Sequence, residues 1–182
     1  MPMDTEVRQI ASSLREYMPV SWESMPDLEL YMDQVITYLE REFALFQDAA
    51  GNKLITRSMI NNYVKDGIVP RPVKKRYARP QLGALTMACL LKRTMPMQSV
   101  KEMVVRDGEE LNEETYGAFC REFQSVSLEQ SELLDGLIDE AGMSRDRMYQ
   151  LALCFAIRSS IDRYVADRLL DELSREEDRE RP

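Results

Sequence analysis

Five polar side chains share one side of a short helical stretch. Along residues 57–65, RSMINNYVK, a step of about 100° per residue gathers Arg57, Ser58, Asn61, Asn62 and Lys65 into an arc of about 140°. Met59, Ile60, Tyr63 and Val64 take the opposite arc. A helix with such a face fits the major groove of duplex DNA, where asparagine pairs in bidentate fashion with adenine and arginine with guanine. The pattern also suits the solvated side of any amphipathic helix, so a second element has to weigh in. It follows directly. Arg71, Lys74, Lys75, Arg76 and Arg79 lie in IVPRPVKKRYARP, where prolines forbid a helix and push their neighbours toward extended conformations. A short hairpin or loop with basic residues at its tip is expected there, able to reach phosphates beside the groove and to supply salt-dependent affinity. Thr56, placed to cap the helix, completes the candidate set, and Gly67 is placed to close it.

Charge along the chain separates these residues from a bland surface. From Lys53 to Arg93 ten basic residues stand against one acid, Asp66, so this stretch carries +9 within a chain of net charge −8 and leaves −17 for the rest. A polyanion is the natural partner of so one-sided a segment. An acidic partner protein, or the chain's own acidic tail, is the rival.

Other chemistries find little support. There is no histidine in the 182 residues, and no Gly-rich phosphate loop, nucleophile elbow or metal-ligand cluster, so neither an enzyme nor a cofactor is expected. Cys89, Cys120 and Cys154 each sit in apolar helical surroundings and read as reduced core residues; a metal site built from all three lacks any C-x-x-C spacing. No apolar run approaches the roughly 18 residues that span a bilayer, and MPMDTEVRQI lacks a signal-peptide layout, so a cytoplasmic protein without membrane contact is expected.

The elements around the site read as helices. A first helix follows Asp4 as its N-cap and runs to about Tyr17, with Pro19 ending it. A second begins near Asp27, carries Leu28, Tyr31, Met32, Val35, Leu39, Phe43 and Phe46 on one stripe, and stops at DAAGNK. After the 57–65 helix and the basic segment, Pro80 opens a helix with Leu82, Leu85, Cys89 and Leu90 on its core face, and Pro96 opens another. Three more are expected at 112–124, at 127–141 with a Ser127/Gln130 capping box, and from Ser144 to about Glu177. In the last, 151–157 is apolar nearly all round and should be buried, and Ile161, Tyr164, Val165, Leu169 and Leu173 continue as a stripe. Met143, Met148, Tyr149 and Phe155 also read as core.

The run TRSMINNYVKDGIVPRPVKKRY, followed by LLKR and VKEMV, resembles the bacterial family known as domain of unknown function 1836, over roughly Leu30 to Met103. That family is similar to MerR-type winged helix-turn-helix proteins: Tyr63, Gly67, Ile68, Val69 and Pro70 match the MerR pattern, while Asn61 and Asn62 depart from the arginine and aromatic common there. The resemblance implies an all-α, MerR-like winged helix-turn-helix with a C-terminal helical region. The expected organisation is an N-terminal helix and linker at 1–27, the DNA-binding domain at 28–107 and a helical dimerisation or effector region at 108–182, with a boundary near Gly108. A sequence-specific DNA-binding regulator of transcription follows, with residues 57–65 as recognition helix and 70–79 as basic wing. It is expected to act as a homodimer, with an unidentified small-molecule effector as a further partner.

Overall fold

The computed structural model describes residues 3–47, 54–106 and 109–180; DAAGNK, Lys53 and Gly108 lie outside them. The described residues form seven α-helices and one two-stranded sheet: α1 (Met3–Glu16), β1 (Leu30–Tyr31), α2 (Met32–Glu42), α3 (Arg57–Lys65), β2 (Arg76–Tyr77), α4 (Arg79–Leu91), α5 (Met97–Val104), α6 (Glu113–Ala141) and α7 (Arg145–Glu180). A 3-10 turn at Ala44–Phe46 follows α2. None of the described helices is long and apolar enough to cross a membrane.

The main core gathers around α4. Every residue from Gln81 to Leu90 is buried, the pattern of a helix enclosed on all sides. Its two polar members have partners: Gln81 Oε1 accepts the Ala78 N–H at 2.9 Å, and the Thr86 hydroxyl donates to Leu82 O at 3.0 Å. Val35, Leu39 and Phe43, then Ile60 and Tyr63, then Val100 and Val104 close over α4 from α2, α3 and α5. Leu111 and Tyr116 join the same core, so it continues past the expected boundary near Gly108 into the first turns of α6. Close approach there depends on Gly83: a Cβ would lie 2.9 Å from Leu111 Cδ2, 3.2 Å from Tyr116 and 3.4 Å from Trp22.

A second, small core joins α1 to the far end of α6. Val7 and Ala11 pack with Leu134 and Ile138, and Leu14, Met143, Met148 and Phe155 cover them. Arg8 bridges Asp139 at 2.6 Å and Asp135 at 3.6 Å, and Arg15 reaches Asp135 at 2.6 Å. These exposed pairs align the two helices more than they stabilise them.

Several expectations are corrected. Asp4 does not cap α1, which already includes Met3; its carboxylate accepts the Met143 N–H at 2.6 Å instead, across the small core. The second helix starts at Met32 and not near Asp27, because the backbone of Leu30 and Tyr31 pairs antiparallel with Tyr77 and Arg76. It also ends before DAAGNK, at Glu42. Leu28 and Tyr31 are exposed, not core. The two helices foreseen at 112–124 and 127–141 are one, capped by Asn112, whose Oδ1 accepts the Thr115 N–H at 3.0 Å. Ser127 caps nothing: with Ser131 it is buried on the inward stripe that continues through Leu134 and Ile138. Finally, 151–157 is not enclosed. Leu153, Cys154 and Ile157 are exposed, as is Tyr149. A helix surrounded by apolar residues finds cover here on one side only.

Candidate nucleic-acid interface

α3 has the boundaries its sequence predicts. The Thr56 hydroxyl accepts the Met59 N–H at 3.3 Å at the N-terminus. Beyond Lys65 the chain reverses through Gly67, at φ +71°, the left-handed region that glycine enters without penalty. Ile60 and Tyr63 anchor the inner face, and burial pushes the Tyr63 phenol well above its ordinary pKa, so it stays neutral. Arg57, Ser58, Asn61, Asn62 and Lys65 are all exposed, so one face of the helix is free for contact.

The basic segment is a tight two-residue hairpin. Val73 and Arg76 form an antiparallel bridge, with the Arg76 N–H donating to Val73 O at 2.9 Å. Between them Lys74 and Lys75 take φ values of +51° and +64°, the pair of left-handed residues that a twisted two-residue turn requires. Their side chains therefore stand at the tip, exposed together with Arg71. The return strand β2 is tied to β1, in register Leu30 with Tyr77 and Tyr31 with Arg76.

Residues 29–33 join the two elements. Asp33, in the first turn of α2, forms an ion pair with Arg57 of α3. Two residues earlier, the Tyr31 ring lies under the Arg76 guanidinium, 5.2 Å from carbon to centroid, and its hydroxyl accepts from Arg76 Nε at 3.2 Å. Glu29 stands 3.8 Å from the same guanidinium. The start of α3 and the base of the hairpin thus meet on one short segment. Sequence reasoning missed Glu29, Tyr31 and Asp33. Asp33 and Tyr31 lie 24 and 45 residues from the groups they hold, so no local pattern announces them.

The basic residues divide into two groups. Arg79 is half-buried, its guanidinium donating to Glu23 O at 3.4 Å. Lys92 donates to Leu54 O at 3.0 Å and sits 5.8 Å from the centroid of the Tyr63 ring, where burial lowers its pKa. Arg93 lies over Phe46 at 5.4 Å and donates to Phe46 O at 3.2 Å. These three fasten the core, so the +9 of the segment is not all presented to solvent. Arg57 and Arg76 are exposed but paired with acids, whereas Lys65, Arg71, Lys74 and Lys75 have no acidic partner among the described residues.

The cysteines are dispersed. Cys89 is buried in α4, where burial pushes its thiol up to about 12 and makes it inert. Cys120 is half-buried and Cys154 exposed, which corrects the reading of all three as core. No group of three or more cysteine, aspartate or glutamate side chains suited to a metal ion occurs among the described residues.

Residues 20–123 match the family described as Domain of unknown function (DUF1836). The chain belongs to that family. The match extends ten residues before and twenty beyond the stretch that carries the resemblance in sequence. Its limits coincide with the main core, whose members up to α6 run from Val20 to Phe123. α1, the far half of α6 and α7 lie outside the DUF1836 match. No curated protein and no solved structure matches the chain.

Proposed function

We propose that this DUF1836 protein is a cytoplasmic, non-enzymatic regulator of transcription that binds duplex DNA in a sequence-specific way and works as a homodimer. In this reading α3 enters the major groove, with Asn61 and Asn62 toward base edges and Arg57, Ser58 and Lys65 beside them. The hairpin is a wing whose Lys74 and Lys75, with Arg71 near its base, contact phosphates. One observation carries the reading: Tyr31 and Asp33 hold the hairpin and the start of α3 together, so an exposed polar helix face and an exposed basic tip belong to one surface. The arrangement supports a MerR-like winged helix with one departure. Fourteen residues, 43–56, separate α2 from α3, where a helix-turn-helix uses a turn of three or four. The angle between these helices is therefore set by their shared core.

Two copies are part of the proposal, because one helix of nine residues reads only a few base pairs and a genome offers many competing sites.

The test is a titration of the full chain with mixed-sequence duplex DNA at several salt concentrations, followed by selection of bound genomic fragments. Binding at low salt that weakens steeply as salt rises, with one motif enriched, is the expected result. No binding at about 50 mM salt overturns the proposal and favours an acidic protein as the partner of the basic face.

A further inference from the structure

A cavity of about 370 Å³ opens between α6, α7 and the turn that joins α4 to α5. It shares no residue with the exposed face of α3 or with the hairpin. Its apolar walls are Met95 from the turn, Val126 from α6, and Phe155 and Ala166 from α7. Met95 belongs to the main core and Phe155 covers the small one, so the cavity lies where the two cores adjoin. Val126 remains 54% exposed. Concave sites between helices, apolar with a few polar groups and upwards of about 300 Å³, are the usual form of a small-molecule site.

Three polar side chains set the chemistry. Gln130 lines the cavity, and its Oε1 is out of reach of solvent with no hydrogen-bond partner among the described residues. A buried carbonyl in that state costs stability, so this one calls for a donor. The terminal torsion of glutamine is broad, and a partial turn brings the oxygen round to the cavity. Arg158 and Asp162 are exposed on the outer side, one helical turn apart on α7. Opposite charges at this spacing are neighbours on a helix, yet these two form no ion pair with each other or with any other described residue. Arg163, beside them, is engaged with Asp167 at 3.5 Å.

Complementarity reads from the inside outward. The buried end takes an N–H or O–H donor. The middle takes a flat apolar body, which gains from the ring of Phe155 and the thioether of Met95. The rim takes an anionic and a cationic group close together, a carboxylate for Arg158 and an ammonium for Asp162. One kind of small molecule unites these features: an α-amino acid whose ring carries a donor, tyrosine through its hydroxyl or tryptophan through its indole N–H.

We infer that this cavity binds a free aromatic amino acid of that kind, ring inward toward Gln130 and zwitterionic end between Arg158 and Asp162. The inference goes beyond the proposed function and does not depend on DNA recognition.

The experiment is a calorimetric titration of the full chain with L-tryptophan and three analogues that each lack one group. Phenylalanine lacks the ring donor, indole-3-propionate the ammonium and tryptamine the carboxylate. Tryptophan should bind with a dissociation constant on the order of 0.1 mM, and each analogue about tenfold more weakly. In protein labelled at its methionine methyls, the Met95 signal should shift on saturation. Arg158→Gln should weaken tryptophan about tenfold and leave tryptamine unchanged. Gln130→Leu should weaken tryptophan to the level of phenylalanine, while the ligand-free chain melts about 2 to 4 °C higher because an unpaired acceptor is gone. No binding of tryptophan or tyrosine up to about 2 mM overturns the inference. So does equal affinity for all four compounds, a Met95 signal that stays in place, or a Gln130→Leu chain that melts lower and binds tryptophan as before. None of these readings involves DNA, so failure here leaves the proposed function standing.

Discussion

Asp33 and Arg57 form an ion pair that links the first turn of α2 to the first turn of α3. Both side chains are largely exposed, at 82% and 58%, so the pair adds little to stability. In the proposed function its effect is on DNA binding, because a carboxylate beside Arg57 competes with any phosphate for the guanidinium. Asp33→Asn should tighten nonspecific duplex binding several-fold at low salt and steepen the logarithmic salt slope by about 1. Weaker binding would show that Asp33 orients Arg57 for contact.

The hairpin tip separates shape from charge. Lys74 and Lys75 hold left-handed backbone, which Asn followed by Gly adopts more readily. The double substitution Lys74→Asn, Lys75→Gly should preserve the turn and raise unfolding stability by about 1 kcal/mol. The same variant should lose about 2 units of salt slope. Denaturation and DNA titration of one preparation read both effects, and an unchanged slope would place the tip away from DNA.

Asn61 and Asn62 test base reading. Either residue changed to alanine should cost about 1 to 3 kcal/mol at the selected site and leave random duplex binding nearly intact. Equal loss on both DNAs would assign the residue to phosphate contact. Circular dichroism separates that outcome from a folding defect.

Gly83 tests the packing of α6 against α4. Alanine should gain up to about 1 kcal/mol of helix propensity but force its methyl against Leu111, Tyr116 and Trp22. A net loss of about 1 kcal/mol or more in urea denaturation is expected. A gain would show that the Leu111 side chain swings aside freely.

What was legible in the sequence follows from the range of each interaction. α3 emerged with its ends intact because its cap at Thr56, its reversal at Gly67 and its two-faced pattern all lie within a dozen residues. The hairpin was readable for the same reason, with prolines and lysines adjacent. β1 was not, since Leu30 and Tyr31 are held extended by one strand, β2, whose paired residues lie 47 and 45 positions away. Ser127 misled because a serine three residues before glutamine looks like a cap, whereas here it is a small residue on a buried stripe. The apolar run at 151–157 promised burial, but composition does not reveal how many neighbours arrive to cover it. Of the candidate site, the exposed polar and basic residues of α3 and the hairpin were visible, and the acids and tyrosine paired with Arg57 and Arg76 were not.

α6 is a single rod of 29 residues with its ends in different cores. Among the described residues the near end adds Tyr116 to a main core of twenty-two buried hydrophobic residues, whereas the far end meets α1 in a cluster of four. Unequal anchorage makes opening stepwise. Amides of α1 and of α6 beyond about Ser127 should exchange with deuterium through an inexpensive local release. Those of α4 should exchange only when the whole domain unfolds. The far end of α6 also seats the beginning of α7 through Met143 and Met148, so such a release would free the root of α7 while the half that carries α3 and the hairpin stays folded.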